Sequence, residues 1–166
     1  SGLREIIDGS PIAHCFKEIY ASEFYYNDSG HPVWPKLAVN FTAKTQFVYR
    51  INKGVLDVSD DKGLNDSMPD DSKRVPFTSM IYFGDGLSDV PCMKMMRSYG
   101  GQAIAVYQAV NKKAVEELLR QGRVDFIYPA DYREGTELEH TVKNIIRKMA
   151  VSQLLAEENM KQLRSV

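Results

Sequence analysis

Ile81-Tyr82-Phe83-Gly84-Asp85-Gly86-Leu87-Ser88-Asp89 is the stretch on which the reading of this 166-residue chain turns. Together with Met80, its first residues form a short, almost uniformly apolar run closed by glycine, the pattern of a strand buried on both faces of a parallel sheet. In open α/β sheets the C-terminal ends of such strands border the crevice where ligands bind, and this one delivers two carboxylates, Asp85 and Asp89, separated by one turn. Hard oxygen donors so placed suit Mg²⁺, whose octahedral shell is completed by water and substrate phosphate. Glycines on both sides of Asp85 are expected to let the backbone turn sharply and approach a ligand closely. Two plainer readings stay open. Asp85 and Asp89 also fit a turn residue and a helix cap. Gly84-x-Gly86 also begins a dinucleotide fingerprint, although Asp89 stands where the third glycine belongs and would repel a pyrophosphate.

Downstream, the pattern repeats. Val90 to Ser98 reads as a helix ending before Gly100-Gly101, and Ala103 to Tyr107 as a second buried strand. Lys112 to Gln121 follows as a helix with Gly122 beyond its end, and Val124 to Tyr128 as a third strand. Alternating strands and helices are the signature of a doubly wound α/β sheet. From Thr136 to about Leu163 a long amphipathic helix is expected, with Leu138, Val142, Ile145, Ile146, Met149, Leu154 and Leu155 on its apolar side. It serves either to cover the sheet or to meet a partner.

Upstream, Leu3 to Ile7 reads as one helical turn ended by Gly9-Ser10-Pro11, since Pro11 cannot donate into a continuing helix. Phe16 to Phe24 is expected as a strand from its aromatic and β-branched content, despite imperfect alternation. Asn27-Asp28-Ser29-Gly30 predicts a hairpin joining Tyr25-Tyr26 to Val33-Trp34. A helix is expected from Thr42 as N-cap through Phe47, Val48 and Ile51 to Lys53-Gly54. Asp57 to Lys73, rich in Asp, Gly, Asn, Ser and Pro, reads as an exposed loop that lacks the order of a calcium loop.

Composition narrows the function classes. Lys and Arg number 21 against 22 for Asp and Glu, so the net charge of -1 gives no cationic field for nucleic acid. The two cysteines, Cys15 and Cys92, form neither a C-x-x-C pair nor a set of metal-ligand spacings, which fits a reducing, cytoplasmic setting. No apolar run approaches the roughly 18 residues that cross a bilayer. His14, His31 and His140 show no ligand spacing.

Gly84-Asp85-x-x-x-Asp89 after a hydrophobic strand resembles the metal-binding fourth motif of the haloacid-dehalogenase superfamily of aspartate-nucleophile phosphohydrolases. The resemblance implies that Asp85 binds Mg²⁺ directly and that Asp89 supports it, directly or through water. Lys44, at the start of the helix from Thr42, sits where the family keeps the lysine that pairs with the nucleophile and the transferred phosphoryl group; Lys53 is a fallback. Ser1-Gly2-Leu3 looks like the second motif, in which a hydroxyl and an amide hold a phosphate oxygen, unless Ser1-Gly2 is a remnant foreign to the native chain.

So counted, the resemblance covers Ser1 to about Tyr128. It implies a Rossmann-like three-layer α/β sandwich with a mostly parallel sheet lacking its first strands, plus the hairpin and the long C-terminal helix. One domain over 1–166 is expected, with the core to 130 and the helix region over 131–166.

The family's nucleophile motif, Asp-x-Asp at the end of the first strand, is absent. Asp57-Val58-Ser59-Asp60 and Asp60-Asp61 lie in the polar loop with no apolar strand before them. The expectation is a phosphatase acting on a small phosphorylated metabolite, with nucleophile and any large cap upstream, as in phosphoserine-phosphatase-like members. This segment alone is expected to be inactive, and the upstream piece, cleaved but retained, or a homodimer mate is the expected protein partner. The rivals are a non-catalytic α/β module that binds metal or phosphate, and a nucleotide-binding module.

Overall fold

The computed structural model describes residues 2–165, which form two compact units divided between Val75 and Pro76. In the first, helix α1 (Leu3–Asp8) is followed by a 3₁₀ turn at Ala13–Cys15 and an antiparallel hairpin of β1 (Glu23–Tyr26) and β2 (Pro32–Leu37). Asn27 shapes the hairpin turn, its Oδ1 accepting from the amides of Ser29 at 3.1 Å and His31 at 2.9 Å. Gly30 supplies the left-handed residue, with φ 75°. The strand expected over Phe16–Phe24 forms only at its end: Phe16 to Ser22 make no ladder, and pairing starts at Glu23. The broken alternation noted there leaves no single face to bury.

Helix α2 (Lys44–Lys53) ends as expected, at Gly54 with φ 78°. Its start differs: Thr42 is not the cap. Asn40 Oδ1 accepts from the amides of Thr42 and Ala43 and from the Thr42 hydroxyl, and Lys44 opens the helix. The segment expected as an open loop is organised from below by Arg50. Its fully buried guanidinium donates to the carbonyls of Asp57, Val58 and Asp60 and to the Asp61 carboxylate, at the head of α3 (Asp61–Asn65). A buried cation is costly unless its donors are occupied; Nη1 and Nη2 are, while Nε has no partner among the described residues.

The second unit is α/β, with a parallel three-stranded sheet in the order β3 (Ile81–Gly84), β4 (Gln102–Tyr107), β5 (Phe126–Pro129). Helices α4 (Val90–Ser98) and α5 (Lys112–Arg120) link the strands, the connectivity of a Rossmann-like fold. The central strand β4 is the one buried throughout its middle, at Ala103, Ile104, Ala105 and Val106. β3 is terminal instead. Among the described residues it pairs on one side only, and Phe83 is 39% exposed, so the expectation of burial on both faces is not met. Ile104 and Val106 pack against Leu138 and Ile145 of α6 (Glu137–Arg164), with Phe126, Tyr128, Val142 and Met149 around them. Alternating side chains send Ala103 and Ala105 to the other face.

Thr136 caps α6 by accepting from the Glu139 amide at 3.3 Å, and Glu139 reaches back to the Gly135 amide at 2.7 Å. Among the described residues no helix is long and apolar enough to cross a membrane.

Candidate functional site

The chain leaves β3 at Gly84, where local packing is decisive. A Cβ at Gly84 would fall on Met93 Cε and lie 2.5 Å from Asp89 Cβ, so only glycine lets Asp89 tuck beneath the strand end. Gly86 plays no such part: its backbone is extended, and an added Cβ would meet nothing within 4 Å.

Asp85 and Asp89 are brought together by this turn, in different roles. Asp89 is 4% exposed, and its two oxygens are used inside the protein. Oδ1 accepts from the Tyr82 hydroxyl at 2.8 Å, and Oδ2 accepts from the Asp85 amide at 3.2 Å. Burial pushes the Tyr82 phenol above its ordinary range, and the bond to Asp89 adds to the shift. The Asp85 side chain is exposed, while its main chain is held at both ends. The Asp85 carbonyl accepts from Asn111 Nδ2 at 2.8 Å, and Asn111 Oδ1 accepts from the Gln108 amide at 2.8 Å. The loop after β4 thereby fixes the loop after β3. Leu87 and Val110, one from each loop, are exposed apolar side chains.

One exposed carboxylate backed by a buried one fits Mg²⁺, which takes one or two carboxylates and completes its shell with water and phosphate. Among the described residues, no group of three or more His, Cys, Asp or Glu side chains is arranged to hold a metal. Further ligands for an ion at Asp85 would have to be water, substrate or another segment.

The other expected site residues belong to the first unit. Lys44 is half-buried at the first position of α2, and its amide donates to the Asn40 carbonyl at 3.1 Å. Lys53 is committed elsewhere: its Nζ donates to the carbonyls of Leu64 at 2.5 Å and Asp66 at 2.6 Å, which removes it as the fallback. Gly2 stands at the N-cap of α1, its carbonyl accepting from the Ile6 amide. Ser1 lies outside the described residues. Tyr82 and Asn111 were not singled out in the sequence. Tyr82 reads as one more apolar residue of a strand, and Asn111 contacts a main-chain carbonyl 26 positions away, for which no side-chain pattern exists.

The chain is 30% identical over 155 residues to an uncharacterized protein of Borreliella burgdorferi; the match takes in 83% of this chain and 52% of that protein. It thus spans about half the length of that relative. No protein-family model and no solved structure matches it.

Proposed function

We propose that the protein is a Mg²⁺-dependent phosphohydrolase of the haloacid-dehalogenase type, acting on a small phosphorylated metabolite through an aspartyl-phosphate intermediate. The observation that carries this reading is the division of labour at the end of β3: Asp89 is buried and bonded to Tyr82 and to the Asp85 amide, leaving the Asp85 carboxylate exposed on a fixed backbone. Surface aspartates in ordinary turns do not require a buried second carboxylate to hold them. In this reading Asp85 holds the ion against the phosphoryl oxygens of the substrate, and Asp89 with Tyr82 and Asn111 hold Asp85. The chemistry Mg²⁺ supplies when bound is neutralisation of charge on those oxygens.

The nucleophilic aspartate and the acid/base aspartate are assigned to a segment outside this sequence. The carboxylate of the first forms a bond to phosphorus as the ester oxygen leaves with a proton from the second. Water activated by the second then cleaves the acyl phosphate and releases inorganic phosphate. Among the described residues β3 pairs on one side only, and the relative extends beyond the matched stretch; both are compatible with such a segment. A phosphoaspartyl enzyme has no covalent route without its aspartate, so the present chain alone is inactive in this reading. Neither Cys15 nor Cys92 is in a disulfide, which accords with a cytoplasmic setting.

The test is hydrolysis of p-nitrophenyl phosphate by the full-length protein with and without Mg²⁺. Activity that depends on Mg²⁺ and falls by about 100-fold or more in Asp85→Asn supports the proposal. No Mg²⁺-dependent hydrolysis, or unchanged hydrolysis in Asp85→Asn, overturns it.

A further inference from the structure

Helix α6 is 28 residues long, and only its first half meets the sheet. Leu138 and Ile145 are buried and Val142 and Met149 half-buried, whereas residues 150–165 are all exposed. At about 100° per residue, this exposed half carries two apolar lines. Ala156, Met160 and Leu163 continue the stripe that upstream faces the sheet. Val151 and Leu154, with Leu155 beside them, lie on the opposite side of the helix and are 57%, 65% and 68% exposed. Arg147 stands one turn before Val151, and Glu158 one turn after Leu154, on that same line.

We propose that two copies of this chain pair through this line, helix antiparallel to helix, about a two-fold axis passing between Val151 and Leu154. The argument is one of charge register. An antiparallel pair that sets Val151 against Leu154 of the partner subunit also sets Arg147 against Glu158 of the partner subunit. The two-fold axis makes each of these contacts twice. A parallel pair in register would instead set Arg147 on Arg147 and Glu158 on Glu158, two like-charge layers bracketing the apolar centre. The sequence of the line, cation, apolar, apolar, anion, is therefore complementary to itself in one direction only. The other stripe has no such order of charges. In the monomer the charged ends are only loosely engaged: Glu158 is 3.9 Å from Lys161, and Arg147 donates to the neutral Asn144 side chain at 2.8 Å. Re-pairing across a dimer therefore gives up little. The proposal is independent of the phosphatase reading, which makes no use of residues 147–158.

Sedimentation equilibrium on the full-length protein tests it, with circular dichroism confirming that helix content is unchanged in each variant. The wild type is expected to reach twice its protomer mass. Leu154→Glu is expected to abolish association, and Met160→Lys to leave it intact. Arg147→Glu and Glu158→Arg are each expected to weaken association by about tenfold, and the two together to restore it. A protein that stays monomeric up to about 1 mM overturns the proposal. So does a dimer broken by Met160→Lys but not by Leu154→Glu, or a double charge swap no better than its single variants.

Discussion

Arg50→Met and Asp61→Asn remove opposite ends of one ion pair, and the structure gives them different costs. The Arg50 guanidinium is fully buried and makes four bonds: to the carbonyls of Asp57 at 2.6 Å, Val58 at 3.0 Å and Asp60 at 3.1 Å, and to the Asp61 carboxylate at 2.9 Å. Met keeps much of the volume and leaves no buried charge, so the loss is that of the donors. Three carbonyls converging on one group must then either stay unsatisfied or turn outward, opening residues 57–61 to water. At about 1 kcal/mol or more for each bond from a charged donor, the expected destabilisation is about 3 kcal/mol. Asp61 is different, because its side chain is 77% exposed. Water replaces what the amide loses, and the expected cost is within about 1 kcal/mol. Urea unfolding with linear extrapolation measures both, and hydrogen exchange over residues 57–61 reports the opening. Equal costs, or an Arg50→Met protein within about 1 kcal/mol of wild type, would refute the reasoning that the carbonyls rather than the ion pair hold the arginine.

Gly84→Ala is expected to cost about 1–3 kcal/mol, because its Cβ meets Met93 and Asp89, whereas Gly86→Ala, in open space, stays within about 0.5 kcal/mol; thermal unfolding separates them. Tyr82→Phe removes a donor to the buried Asp89 carboxylate and is expected to destabilise the second unit by about 1–3 kcal/mol and to weaken the proposed Mg²⁺ binding by roughly tenfold, as read by urea unfolding and calorimetry. Glu23 has its carboxyl held below the usual range by the hydrogen bond from Lys36, with Arg4 adding to it. A depressed folded-state value means that its stabilisation is present above the unfolded glutamate value and fades as pH falls through the folded one. Carboxyl carbon shifts should titrate below the ordinary glutamate range and move up in Lys36→Ala, and Glu23→Gln should remove that part of the acid-side loss of stability.

What was legible in the sequence follows from how local each signal is. The strands and helices of the second unit were readable because Ala103 to Val106 is an unbroken apolar run and glycines close the turns, Gly122 adopting φ 64° after α5. The turn at Asn27–Gly30 and the helix end at Gly54 were readable for the same reason, since residue type and backbone conformation are tied there. Asp85 and Asp89 are legible as a pair, but the burial of Asp89 and its bonds to Tyr82 and to the Asp85 amide are not. Those depend on Tyr82, which reads as apolar, and on Gly84, whose necessity lies in Met93 nine positions on. Arg50 gave no sign of itself, because an arginine in a helix normally faces water and its partners here are main-chain carbonyls. The aromatic and β-branched composition of Phe16 to Ser22 points to a strand that does not form. Without a clean period of two, composition did not suffice.

Mn²⁺, a paramagnetic substitute for Mg²⁺, offers the most direct test of the claim that the end of β3 grips a divalent ion. Titrated into the full-length protein, it is expected to broaden the amide resonances of residues 84–89 and 108–111 before any others. Asp85→Asn should abolish that broadening while leaving the remaining spectrum in place. Broadening centred elsewhere, or retained at these residues in Asp85→Asn, would contradict the account.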